Sequence, residues 1–419
     1  MRSPGEAART ILQDLQPLAA EQVALTDALG CVLAEDARSP LDLPPWDNSA
    51  MDGYAVRGAD CLGGAAGRAP GAAELRVVET IPAGGFPTRP LGPGECARVF
   101  TGAPLPVGAD GVIRQEDATR LDEHRVRIDD PRDAGHNVRR RGEDIRRDSV
   151  ALERGTPLGP AQLGVLASLG MAQVPVHRRP RVAILGSGNE IAELDEVAAI
   201  RAGRKIASSN TYTLLAGLRQ AGATAVSLGI ARDDPADIAS RVRTARDADL
   251  LVTTAGVSVG EHDHMRRVLE DTGGSLTFWR IGMRPGAPVG YGRLGGVPWI
   301  GLPGNPVSAM VTFELFVRPA VRKLLGYRTF FRRAVPVRVA EPLRYPARLT
   351  HFLRAVVVEE DGERVARLTG PQGSGILTSM AKANALLVLP AARDAVAAGE
   401  RLSAILLDEP VHVADPPFE

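Results

Sequence analysis

Apolar positions change their period several times along this chain, and each change marks a new kind of element. Ile11, Leu15 and Leu18 fall on one helical face, and ahead of them stand Ser3, Pro4 and Glu6. A cap serine, a glutamate three residues on and a proline at the first helical position predict an amphipathic opening helix. From about residue 45 glycine and proline become dense. Short β-branched runs between turn signals predict a small β domain, closed by "HNVRRRGEDIRRD". "PAQLGVLASLG" then reads as a helix and "VHRRPR" as a linker.

From 181 the pattern is strand then helix, repeated. "RVAILGS", "ATAVSLGIA", "DLLVTTA" and "SLTFWRIG" are short apolar runs separated by the helical "TYTLLAGLRQ" and "PADIASRVRTARDA", the latter with Asp234 as cap and Pro235 in the first turn. This alternation predicts a mostly parallel α/β sheet with right-handed crossovers, whose ligands gather at the carboxyl ends of the strands. "RPGAPVGYGRLGGVPWI" predicts a hairpin and "PVSAMVTFELFVRPAVRKLLG" a long closing helix. After Gly326, "HFLRAVVVEE", "ERVARLTG" and "NALLVLPA" predict a terminal β domain.

Between the hairpin and the closing helix lies "GLPGNPVSA", residues 301–309. Pro303 ends a strand, Asn305 is the expected N-cap, and Pro306 suits the first helical turn. Gly304 is expected to turn the backbone with positive φ, leaving helix N–H groups around a concavity that attracts an anion. Proline, glycine and asparagine also serve such turns for geometry alone, so both uses stay open here.

The 419 residues suffice for two to four domains. Fifty basic and 50 acidic residues give a net charge of zero, so no global field points to nucleic acid or a membrane surface. Only Lys205, Lys323 and Lys382 are lysines, and the remaining 47 cations are arginines, a skew that reads as coding preference. Cys31, Cys61 and Cys96 are odd in number and form no CxxC, which indicates neither a disulfide framework nor a zinc site. The start lacks a signal-peptide core and no apolar run nears the roughly 18 residues of a membrane span, so the expectation is a cytoplasmic protein.

Three segments follow strands and converge if the α/β reading holds: "GSGNE" (186–190), "TAGVSVGEHDH" (254–264) and "GLPGNPVSA". Ser187 and Ser258 hydroxyls with backbone N–H groups suit a phosphate-like ligand. Neither GxxxxGK[ST] nor GxGxxG is present, so no P-loop or dinucleotide site is signalled. Glu190 and Asp263 would stand in the same crevice, where carboxylates beside phosphate imply Mg²⁺. Asp263 equally suits an N-cap on "HMRRVLE". His262 and His264 are a weak metal pair, and "DNSAMDGYAV" (47–56) alone reads as an ordinary loop.

Taken together, "DNSAMDGYAV", "TGAPLPVGAD", "GEDI", "GVSVGEHD" and "GLPGNPVSA" closely resemble, in order and spacing, the molybdopterin molybdenumtransferase family (MoeA and the C-terminal domain of gephyrin). The similarity spans almost the whole chain. It implies an elongated homodimer of four-domain chains: domain I (1–44 and 140–178, mixed), a β-rich inserted domain II (45–139), the α/β molybdopterin-binding domain III (179–326) and the β domain IV (327–419). It further implies an active site between subunits and Mg²⁺-dependent insertion of molybdate into adenylylated molybdopterin, with release of AMP. The anion at 301–309 would then be the phosphate of the pterin nucleotide.

By the same resemblance Asp52, Thr101, Asp144, Glu190 and Asp263 are the expected catalytic residues, with Glu190 and Asp263 on the metal. Ser187, Ser258, Arg284, Pro303, Asn305, Pro306, Arg354 and Ser374 are the expected binding residues. A molybdopterin adenylyltransferase and molybdoenzyme chaperones are the implied further partners. A carrier that binds molybdopterin without inserting metal, or a gephyrin-like scaffold, are the alternatives. The chain departs from the family in domain III: Asn189 stands in "SGNE" where "TGDE" is common, Ala255 replaces a glycine, "SSN" replaces "DSN", and "RPGAP" replaces "KPGKP", so that Ala287 carries no charge.

Overall fold

The computed structural model describes residues 1–62, 73–254, 267–269 and 271–408. The opening helix is Pro4–Asp14, with the expected reciprocal cap: the Glu6 N–H donates to Ser3 Oγ at 3.2 Å and the Ser3 N–H to Glu6 Oε2 at 2.8 Å. Its apolar face, Ala7, Ala8 and Ile11, is buried against Phe313, Phe316 and Val321 of the closing helix. The chain then forms Ala20–Ala24, whose antiparallel partner is the distant Gln173–His177.

Between these partners lies a six-stranded sheet, in the order Gly111–Arg114, Gly53–Val56, Glu95–Val99, Ala73–Ile81, Arg125–Ile128 and Ala118–Arg120. The expected helix is Pro160–Ser168. The expected linker "VHRRPR" is instead a fixed junction. His177 ends a strand and its Nδ1 lies 2.6 Å from the Leu18 carbonyl, while Arg178 Nη1 donates to Asp249 at 2.7 Å.

The central sheet runs Thr224–Ala231, Arg181–Ser187, Leu250–Thr254, Val297–Leu302, Gly290–Leu294 and Ser275–Trp279. The first four strands are mutually parallel and the last two antiparallel, as expected. The central strands Arg181–Ser187, Leu250–Thr254 and Val297–Leu302 are largely apolar because both their faces are covered, whereas the outer Thr224–Ala231 and Ser275–Trp279 are partly exposed. Val182, Ile184, Leu250, Val252 and Ile300 enter the core beneath the closing helix, whereas the alternate Ala183, Leu185, Leu251 and Trp299 pack against the helix Pro235–Thr244. That helix has its Asp234 cap. The hairpin turns through Gly295 and Gly296, whose φ values of 56° and 84° suit a two-residue hairpin loop.

The closing helix is interrupted. Pro306–Thr312 and Arg318–Leu324 are α-helical, and Phe313–Val317 between them is a π-turn in which the Arg318 N–H reaches back to the Phe313 carbonyl. Pro319 has no N–H for the carbonyl four residues before it, and one wider turn takes up the mismatch.

In the terminal β region, Thr350–Glu360, Glu363–Leu368, Ala334–Val339, Arg401–Leu406 and Ala385–Leu389 pair in succession, and the last returns to the first to close a ring. Met283–Arg284 is no part of the hairpin. It adds to this ring in parallel with Thr350 and His351, and so brings Arg284 to the junction of the α/β and terminal regions.

Candidate active site

The carboxyl ends of three parallel strands open onto one cavity of about 430 Å³, lined by Ser187 and Glu190, by Thr254, by residues 206–210 and by residues 303–306. A second cavity of about 290 Å³ adjoins it, sharing Pro288, Pro303 and Asn305, with Arg284, Ala287, Gln372 and Ser374 in its wall. The sheet thus collects Ser187, Glu190, Pro303, Asn305 and Pro306 in one place, with Arg284 and Ser374 next door.

The 301–309 turn is built differently from expectation. Asn305 does occupy the N-cap position, at φ −62° and ψ 127°, but its side chain caps nothing. Gly304 is not among the glycines with positive φ, because extended Asn305 flanked by Pro303 and Pro306 makes the bend without it. The helix N-terminus is also partly occupied: the Val307 N–H donates to the Ser374 carbonyl at 3.1 Å. The glycine that the site does require is Gly286. It has φ +97°, and a Cβ there would meet Thr312 Cγ2 at 2.5 Å, so the loop carrying Arg284 can press against the closing helix.

Gly188 serves the carboxylate. A Cβ at that position would lie 3.0 Å from both Glu190 oxygens, so the loop folds the carboxylate back over its own backbone. The Glu190 side chain has no hydrogen-bond or ion-pair partner among the described residues. Its neighbour Asn189 exchanges bonds with Asp233, N–H to Oδ2 at 3.1 Å and Oδ1 from N–H at 3.4 Å, and the Lys205 ammonium donates to the Asn189 carbonyl.

Arg354 is placed behind the site, not in it. It is 0 % exposed, its Nε donates to Ser379 Oγ at 3.0 Å and its Nη2 to the Gly373 carbonyl at 2.9 Å, and it lines neither cavity. Burial lowers its pKa. Its guanidinium therefore holds the 371–374 loop that presents Ser374.

Asp52 and Thr101 form a pair of their own in the inserted sheet. The Thr101 N–H and hydroxyl donate to Asp52 Oδ1 at 2.7 and 2.8 Å, which holds that carboxyl below the usual carboxylate range. Asp144 is exposed. Within one chain, none of the three lines a cavity with Glu190. Ser258, Asp263, Ala255, His262 and His264 lie outside the described residues.

Sequence reasoning missed Asn210 and Gln372. Asn210 Nδ2 donates to the Gly304 carbonyl at 2.7 Å, while its Oδ1 is buried with no partner among the described residues. The polar triplet "SSN" (208–210), at the N-cap and first turn of the helix Ser209–Gln220, was the available signal. Gln372 Oε1 accepts from the Arg354 N–H at 2.8 Å.

Residues 2–170 match the family model described as "MoeA N-terminal region (domain I and II)", 183–323 the "Probable molybdopterin binding domain" and 336–407 the "MoeA C-terminal region (domain IV)". Molybdopterin molybdenumtransferase 2 of Mycobacterium tuberculosis H37Rv is 38% identical over 412 residues, covering 96% of this chain and 98% of that protein. The chain belongs to the molybdopterin molybdenumtransferase family. Molybdopterin molybdenumtransferase of Nostoc is 36% identical, over 91% of this chain and 87% of its own. The crystal structure of a molybdopterin biosynthesis MoeA protein from Pyrococcus horikoshii superposes with a TM-score of 0.82 at 29% identity, over 97% of this chain and 100% of that one. The fold expected of a molybdenumtransferase, an α/β centre with an inserted β region, a mixed N-terminal region and a terminal β region, is the fold observed.

Proposed function

We propose that this chain inserts molybdenum in molybdenum cofactor biosynthesis, taking adenylylated molybdopterin and molybdate and releasing AMP. The observation that carries the reading is the adjacency of two unlike cavities through Pro303 and Asn305. The larger offers hydroxyls, an amide and one free carboxylate. The smaller offers Arg284, whose guanidinium has no carboxylate partner among the described residues.

Ser187, Thr254, Asn210 and the 303–306 backbone would bind and orient the pterin nucleotide phosphates. A hard dication suits a lone carboxylate flanked by hydroxyls and phosphate, so Glu190 would hold Mg²⁺, which when bound offsets phosphate charge. Asp263 and Ser258, the further residues expected from the resemblance, would serve the same metal and phosphate. Arg284 would hold two oxygens of the molybdate dianion in its planar fork, with Ser374 as the neutral partner. Holding both reactants across one shared wall lowers the entropy cost of their meeting.

Asp52, Thr101 and Asp144 would act on the site from the partner in a homodimer, with domains I to IV divided at the boundaries expected from the sequence. No helix among the described residues is long and apolar enough to cross a membrane, and we place the reaction in the cytoplasm. The experiment supplies purified chain with adenylylated molybdopterin, Mg²⁺ and molybdate. AMP should appear with the wild type and fall with Glu190→Gln at unchanged melting temperature. Normal release by Glu190→Gln removes the carboxylate from the reaction.

A further inference from the structure

The inserted sheet carries a cavity of about 210 Å³ that contains none of the residues given a role above. Thr80 is the cross-strand neighbour of Arg98, and Arg98 of Tyr54, so three polar side chains stand abreast on one face. Arg120 and Glu123, from the adjoining hairpin, close the other side, and Phe100 forms the rim. Tyr54 is only 5 % exposed, yet its hydroxyl has no hydrogen-bond partner among the described residues. The Arg98 guanidinium likewise makes no hydrogen bond or ion pair among them; it lies over the Phe100 ring, 5.6 Å from the centroid, and its charge helps to lower the Asp52 carboxyl. Arg120 uses Nε on the Asp122 carbonyl at 3.0 Å and leaves its two Nη groups free.

This is unusual for the sheet. Arg76, Arg114, Arg125 and Arg127 all sit on carboxylates. Here two guanidinium groups without a carboxylate of their own stand beside the Tyr54 and Thr80 hydroxyls, and Glu123 is the one acidic side chain in the lining, so cationic and neutral donors outnumber acceptors. We propose that this cavity binds the phosphate group of a phosphomonoester. Arg98 and Arg120 supply charge-assisted donors, and the Tyr54 and Thr80 hydroxyls supply neutral ones. The space admits the phosphate and the start of its ester, while the Phe100 ring offers the rest of the molecule a flat apolar rim. Thr101, which holds Asp52, directly follows Phe100, so the cavity opens beside the Asp52–Thr101 pair. Naming AMP as the ester rests on the molybdenum-insertion reading, whereas the anion site rests on the cavity alone.

Amide hydrogen exchange of the full chain tests it, with inorganic phosphate, AMP and adenosine as probes. Phosphate and AMP should slow exchange over residues 118–124, and adenosine should not. Arg98→Gln and Arg120→Gln should each raise the half-maximal AMP concentration about tenfold or more, as loss of a charge-assisted bond implies. Arg120 lies at the end of a hairpin strand, so Arg120→Gln keeps the test open if Arg98→Gln folds poorly. Absence of protection by either anion, or protection that survives both substitutions, overturns the site. Protection by phosphate but not by AMP overturns the ester assignment. A chain that releases AMP without this protection loses the site and keeps the function, while protection without molybdate-dependent AMP release loses the function and keeps the site.

Discussion

Arg354→Met removes a cation that is wholly buried and has no carboxylate beside it. Two opposing terms decide the effect on stability. The bonds to Ser379 Oγ and the Gly373 carbonyl, at 3.0 and 2.9 Å, involve a charged donor and are worth about 1.5 to 3 kcal/mol each, together about 3 to 6. Burying an unpaired ion costs several kcal/mol, and replacing buried charge by an apolar side chain of similar volume is often neutral. The two nearly cancel, so stability should change by no more than about 2 kcal/mol, a shift of a few degrees in Tm. Binding should respond differently. Without the guanidinium the 371–374 loop loses its bond at the Gly373 carbonyl and keeps those of Gln372 to the residue-354 backbone and of Val307 to Ser374, so Ser374 is held less firmly in the smaller cavity. One misplaced hydrogen bond at about 1.4 kcal/mol raises half-saturating molybdate about tenfold. The assays are calorimetric melting and AMP release against molybdate concentration. A large fall in Tm with unchanged half-saturation would show that Arg354 serves the core and not the loop.

Three further outcomes follow from the same geometry. Ala287→Lys adds a second cation to the wall that holds Arg284, and should lower half-saturating molybdate and make it more salt-sensitive; an unchanged value at two ionic strengths would remove this loop from oxyanion binding. Mixed dimers of Asp52→Ala and Glu190→Ala chains should regain part of the activity through one intact interface, and inactive mixed dimers would exclude a shared site. Thr101→Val deletes one of the two bonds that depress the Asp52 carboxyl, so its pKa should rise towards the ordinary range in an NMR titration. Because a depressed carboxyl stabilises the fold above its unfolded pKa and stops doing so as pH falls through the folded one, the stability gap between wild type and variant should close below about pH 4; a gap persisting in strong acid refutes the pairing.

Local chemistry was legible and distant pairing was not. The Ser3–Glu6 cap and the Asp234 cap are each fixed within a few residues, and both appear where the sequence puts them. The strand-end rule likewise located Ser187, Glu190 and residues 303–306 in one cavity. The ring closure of Thr350–Glu360 with Ala385–Leu389, and the capture of Met283–Arg284 by that ring, depend on contacts between remote segments that no local period records. Asn210 escaped notice for the same reason, as its partner Gly304 is 94 residues away. Arg354 was expected as a binding residue from the resemblance alone, whereas its hydrogen bonds to Ser379 and Gly373, which hold a loop, depend on residues remote in sequence. The π-turn was hidden because Pro319 is compatible with a helix whose local register widens.

AMP and molybdenum can be counted in one reaction. After a single turnover with adenylylated molybdopterin, Mg²⁺ and molybdate, AMP is measured in the filtrate and pterin-bound molybdenum by mass spectrometry. Insertion across the shared wall of the two cavities predicts one AMP for each molybdenum bound, no AMP when molybdate is withheld, and loss of both products together in Arg284→Gln. Pterin nucleotide that stays bound and intact in the presence of molybdate, or AMP released without molybdenum, would contradict it.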